Sequence, residues 1–160
     1  MTNWLQASFK PQDAAISALR EHWRWLLGDV WQPFLFSSIG DVFFTLASGS
    51  VWWLSTATGS LEQVADSRDH FSALLEGEST DEWFLPGLPA ALHAHGKPLG
   101  ADECYSYTVF PVFQHGSFSV ENMLAMSAAA HYAASGKLHE SIRGLPDGAD
   151  AAVRLTDAMN

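Results

Sequence analysis

The sequence predicts an α+β fold: a mostly antiparallel β-sheet, built from a meander plus a second hairpin and covered by helices, in a single domain. Three observations carry this. Residues 42–46 (VFFTL) and 51–54 (VWWL) are strongly apolar runs joined by Ala47-Ser48-Gly49-Ser50, a hairpin signal. Two further strand-like runs, residues 104–112 and 118–126, flank the turn Gln114-His115-Gly116. Apolar residues at helical spacing lie before, between and after these pairs. A length of 160 residues suits one domain with a sizeable core. That domain is taken as 1–148, with 149–160 as a C-terminal tail or a frayed helix.

The first helix is expected over 11–27. Ile16, Leu19, Trp23, Leu26 and Leu27 recur at helical spacing, Pro11 or Asp13 marks the start, and Gly28 stops it. Gln32-Pro33 interrupts, and 34–36 reads as a short strand feeding the hairpin. Within the hairpin, Phe43 and Phe44 are neighbours, as are Trp52 and Trp53. Neighbouring strand residues point to opposite faces, so both faces of this sheet must be covered. Thr58-Gly59-Ser60 turns the chain into a further strand over 61–64. Ser67 caps a helix carrying Phe71, Leu74 and Leu75, which Gly77 ends. Another helix starts near 79, capped either by Ser79 with Glu82 or by Thr80 alone. Pro86 and Pro89 break that stretch before a helix over 87–95, ended by Gly96.

Pro111 places the strand over 104–112 at an edge, or ends it there. The run 118–126 is read as its partner. Ser127 caps a last helix from 128 to 135, Gly136 breaks or kinks it before 137–143, and Gly144-Leu145-Pro146-Asp147-Gly148 is a firm stop.

The formal charge is −10, from 18 acidic and 8 basic side chains. There is no Lys/Arg run to neutralise phosphates, so direct nucleic-acid binding is not expected. An acidic surface repels anionic membranes and steers towards basic partners, although solubility alone also accounts for it. A single cysteine excludes an intrachain disulfide. No basic-then-apolar leader opens the chain, and no apolar stretch reaches the roughly 18 residues that span a bilayer. A cytoplasmic protein, without membrane contact, is the expectation.

Neither metal nor cofactor is expected. His93 and His95 lie two apart, which on a helix puts them on different faces. His131 and His139 would share a face only on an unbroken helix, and Gly136 intervenes. No nucleophile elbow, P-loop or dinucleotide fingerprint occurs. Cys104 reads as a small buried hydrophobe rather than a nucleophile. No catalytic residues are assigned, and the chain is read as a non-enzyme. Glu62, Asp66, Asp69, Glu76, Glu78, Asp81 and Glu82 crowd into twenty-one residues, relieved only by Arg68. This is either a solvated face or a surface shaped to meet a basic partner. Trp83 and Phe84 read either as exposed aromatics or as core of the Pro-broken helix; on the first reading they are anchors within a charged rim, and the stretch with them is the candidate partner-binding surface.

Several stretches converge in order: Gly40-Asp41-Val42-Phe43-Phe44, the run from Val51-Trp52-Trp53-Leu54 through Gly59-Ser60-Leu61-Glu62, Cys104-Tyr105-Ser106-Tyr107, Val120-Glu121-Asn122, and His139 on to Leu145-Pro146-Asp147-Gly148. Together, over roughly 34–148, they resemble immunity proteins of bacterial type VI secretion systems, a family long described only as a domain of unknown function. Members are often paired with secreted DNase toxins, and some carry a GAD-like N-terminal region; the N-terminal helix here is short for one. The resemblance implies a non-enzymatic protein that binds and neutralises a cognate toxin effector, basic if it is a nuclease. It carries over no catalytic residues. The alternative reading is a small-ligand or regulatory binding module, which α+β domains also host.

Overall fold

The computed structural model describes residues 4–145. The readings that fall on 146–160, the end of the stop signal and the tail, lie outside the described residues. A 3₁₀ turn (Trp4–Ala7) leads into β1 (Ser8–Phe9), followed by α1 (Asp13–His22) and α2 (Arg24–Leu27). Then come β2 (Gln32–Ser37), β3 (Val42–Thr45), β4 (Val51–Leu54) and β5 (Leu61–Ala65). Helices α3 (Arg68–Leu74), α4 (Ser79–Phe84) and α5 (Gly87–Ala94) precede β6 (Glu103–Tyr107), β7 (Met123–Ser127) and α6 (Ala128–Ile142). β1 to β5 form one antiparallel meander in chain order, and β6 pairs with β7 in a separate two-stranded sheet. The predicted single-domain α+β architecture is the one observed.

The apolar hairpin is sandwiched as its pattern requires. Phe44 pairs with Trp52 and Val42 with Leu54, and these look towards α1 and α6, packing with Leu19, Trp23, Trp31 and Tyr132. Phe43, paired with Trp53, faces the other way into Phe71, Trp83 and Phe84 of α3 and α4. Its ring lies 5.1–5.6 Å from those three rings. A third cluster, with Tyr105, Tyr107, Phe110 and Leu138, joins the β6–β7 hairpin to α5 and α6. Among the described residues no helix is long and apolar enough to cross a membrane.

Four local expectations are corrected. The first helix is broken at Trp23 (φ −108°, ψ 6°). On an unbroken helix, positions 23 and 25 lie about 200° apart. Here both indoles stack 5.7 Å apart and donate into α6, Trp23 Nε1 to Ser135 Oγ at 3.3 Å and Trp25 Nε1 to the Gly136 carbonyl at 3.2 Å. Helix α4 starts one residue after Glu78 and has no side-chain cap; Thr80 Oγ1 instead donates to the Gly77 carbonyl. The expected long second hairpin is short. β6 stops at Tyr107, and Asn122 exchanges hydrogen bonds with the Val109 backbone, closing a loop that buries Phe110 and leaves Phe118 outside any strand.

Finally, Gly136 does not break α6, which runs fifteen residues through it. Glycine is there for space: a Cβ would strike the His22 carbonyl of α1. Interhelical contact this close requires a residue without a side chain. Gly136→Ala is therefore expected to destabilise the protein by about 1–3 kcal/mol in chemical denaturation, overpacking outweighing alanine's ~1 kcal/mol helix advantage. A neutral or stabilising result would contradict the close approach of α1 and α6.

Candidate functional site

The acidic stretch is displayed on one structural unit. Glu62 lies on β5 opposite Trp53, Asp66 follows the strand, and Asp69 sits in the first turn of α3. Glu76 and Glu78 occupy the link between α3 and α4, and Asp81 and Glu82 the first turn of α4. All seven carboxylates are exposed. First-turn positions suit them, because a helix N-terminus carries partial positive charge. Ser67 caps α3, its Oγ accepting from the His70 backbone N–H at 3.0 Å. Ion pairs among the described residues include Arg24 with Asp29 and Glu140 with Arg143, and the His22 ring lies 3.5 Å from the Glu21 carboxylate. None involves Glu62, Asp66, Asp69, Glu76, Glu78 or Glu82. Arg68, the one cation within the stretch, is drawn aside onto the face of Phe34, 3.7 Å from the ring centre.

Trp83 and Phe84 do not belong to this surface. They are 5% and 0% exposed and form the floor beneath it, packed on Phe43 and Phe71. Of the two readings the core one is observed and the exposed-anchor one is corrected: the same aromatic contacts that hold α4 on the sheet remove them from solvent. The exposed aromatic nearby is Phe118, 41% accessible. With Leu85, Leu88 and Asp81 it lines a shallow apolar depression beside the carboxylates. A lone Phe118 between Ser117 and Ser119 is the available signal in the sequence, and the strand-like pattern that follows it masks that signal.

A second polar constellation is internal. Asp41 accepts from Trp53 Nε1 at 3.1 Å and from the Thr56 backbone N–H at 3.0 Å. Thr56 Oγ1 lies 2.9 Å from the Gly40 carbonyl and 2.8 Å from His131 Nε2, and His131 Nδ1 lies 2.8 Å from Ser106 Oγ. His139 Nε2 donates to the Thr56 carbonyl at 2.9 Å. A Thr56 proton directed to the Gly40 carbonyl or to Asp41 Oδ1, 3.4 Å away, pairs with the neutral His131 tautomer that donates from Nε2 and accepts at Nδ1. Burial pushes His131 down to about 3, with His139 adding to the effect, and lowers His139 as well. Burial likewise raises Asp41 to about 7, against the hydrogen bonds from Thr56 and Trp53.

Ser106 beside His131 has the spacing of a nucleophile and its base. Yet Thr56, Ser106 and His131 are at most 1% exposed, and what the group does in this geometry is tie α6, β6 and two sheet turns together. Cys104 is buried, as its sequence suggested, and its thiol is pushed up by that burial. Among the described residues no three His, Cys, Asp or Glu side chains are grouped to hold a metal ion. No protein-family model, no curated protein and no solved structure matches the chain.

The two buried titrations have opposite signs. A carboxyl raised above its unfolded value contributes stability that is full below about pH 4 and is lost as pH rises through about 7. The neutral histidines contribute stability that is full above about pH 6.5 and is lost on acidification towards 3. Asp41→Asn isolates the first. Its unfolding free energy relative to the parent chain is expected to improve steadily from pH 4 to about 7.5. A difference independent of pH would show that Asp41 titrates normally.

Proposed function

We propose that this chain is a cytoplasmic immunity protein, which binds and neutralises a cognate, basic antibacterial toxin of the type VI effector class. The observation that carries the reading is the exposed face of β5, α3 and α4. Seven exposed carboxylates are carried by these elements, and Arg68, the cation among them, lies over the Phe34 ring. A face of one sign focuses the potential and speeds the encounter with an oppositely charged partner. The depression at Phe118, Leu85 and Leu88 offers an apolar seat beside it, suited to the alkyl stem of a partner's Lys or Arg with the charged head among the carboxylates. The ordered resemblance of 34–148 to immunity proteins supports the same reading. Neutralisation here is by binding, with no catalytic step, metal or cofactor.

Co-expression with the product of the adjacent gene tests it: survival and a one-to-one complex are expected. With that complex in hand, Glu76→Lys combined with Glu82→Lys is expected to slow association at least tenfold at low ionic strength, with the difference shrinking in high salt. An unchanged rate and affinity would place the contact elsewhere. A folded protein that neither protects nor copurifies would favour the small-ligand or regulatory module instead.

A further inference from the structure

The outer edge of β2 is only half covered. β1 pairs with Ser37 and Phe36 and then leaves, so the edge from Gln32 to Leu35 has no neighbouring strand among the described residues. Beside it opens a groove of about 700 Å³, walled by Trp4 and Leu5 on one side and by Ile16 and Arg20 of α1 on the other. That size falls within the ~300–1,000 Å³ of small-molecule sites. Its lining is predominantly apolar and includes Phe9, Phe34 and Phe36.

The charge in this groove is inverted relative to the rest of the molecule. Acidic side chains outnumber basic ones 18 to 8 in the sequence, yet among the described residues no acidic one lines it. Two described cations do, Lys10 and Arg20, and a third, Arg68, lies over the ring of Phe34, itself a lining residue. Lys10 is exposed and has no hydrogen bond or ion pair among the described residues. Arg20 is held in place over the Trp31 ring, 4.8 Å from its centre, and donates from Nη1 to the Trp31 carbonyl at 3.3 Å. A guanidinium has five N–H donors, so this leaves most of them for another acceptor.

An added β-strand is the obvious occupant of an open edge, but this edge is blunted. Pro33 has no N–H to offer, the Gln32 side chain donates to the Pro33 carbonyl at 3.3 Å, and the register slips between Pro33 and Leu35. An apolar lining that carries two cations and no described carboxylate suits a different shape: an apolar chain ending in a single anionic head. The chain would lie along the aromatic side chains, displacing water from them, while the head meets Lys10 and Arg20.

We propose that the groove between the N-terminal 3₁₀ turn, α1 and the free edge of β2 binds an amphipathic monoanion of the medium-chain carboxylate type. This is independent of the immunity reading, since the groove is lined by none of the carboxylates assigned to the partner.

Titration calorimetry with decanoate, below its micelle concentration, is the test. One site per chain is expected. Decyltrimethylammonium, with the same chain and the opposite charge, is expected not to bind, and decanol to bind at least tenfold more weakly than decanoate. Lys10→Glu, a substitution at an exposed position with no partner among the described residues, is expected to weaken decanoate at least tenfold while leaving the unfolding transition unchanged. Arg20→Gln is expected to weaken it several-fold. Equal binding of all three amphiphiles, many equivalents per chain, no binding, or an unaffected Lys10→Glu variant would each overturn the proposal. So would failure of decanoate alongside tight binding of an acidic, apolar peptide, which would make the occupant a strand.

Discussion

Eight positions separate His131 from His139, a little over two turns of α6, or about 12 Å along its axis. Each imidazole sits on a turn of the meander where a side chain is impossible. A Cβ on Gly40, in the β2–β3 turn, would collide with the His131 ring; one on Gly59, in the β4–β5 turn, would come within 2.7 Å of His139 Nδ1. Both glycines also have positive φ, 89° and 76°, which turns of this shape demand. The two turns lie at the same end of the meander because its connections alternate ends. Thr56 stands between the rings, its hydroxyl against His131 and its carbonyl accepting from His139. The helix is thus keyed to the sheet at two points. β6 joins the same junction through Ser106 and through the Tyr105 N–H, which donates to the Ser38 carbonyl at 2.7 Å.

Fixing that end of the sheet decides what its two faces can do. One face is closed by α1 and α6, which approach so closely at Gly136 that the rings of Trp23 and Trp25 are drawn in as well. The other is closed by α3 and α4 through an aromatic layer centred on Phe43. Short amphipathic helices with an aromatic underside have only their outer side left for charge. The carboxylates of α3 and α4 are therefore left exposed by the same packing that buries Phe71, Trp83 and Phe84.

Much of this is legible in the residues. Adjacent aromatic pairs at 43–44 and 52–53 require a sheet covered on both sides, and the meander, the caps at Ser67 and Ser127, and the helix over 87–94 follow from local pattern. What is not legible depends on partners distant in the chain. Gly136 looks like a helix breaker until His22 of α1 is placed against it. Reading it as a break also separates His131 from His139, which hides the junction they form. Trp83 and Phe84 have the composition of binding anchors, and only the position of Phe43 assigns them to the interior. The carboxylates are legible as a charged surface because exposure is the default for ionised side chains.

Cys104 is the chain's single thiol, fully buried on β6 in the cluster that includes Leu19, Trp23 and Tyr132. A thiolate is the reactive form, and burial suppresses it. Modification by a thiol reagent must then wait for β6 to separate from α6, so the unaltered protein carries its own clock for how often its central junction opens.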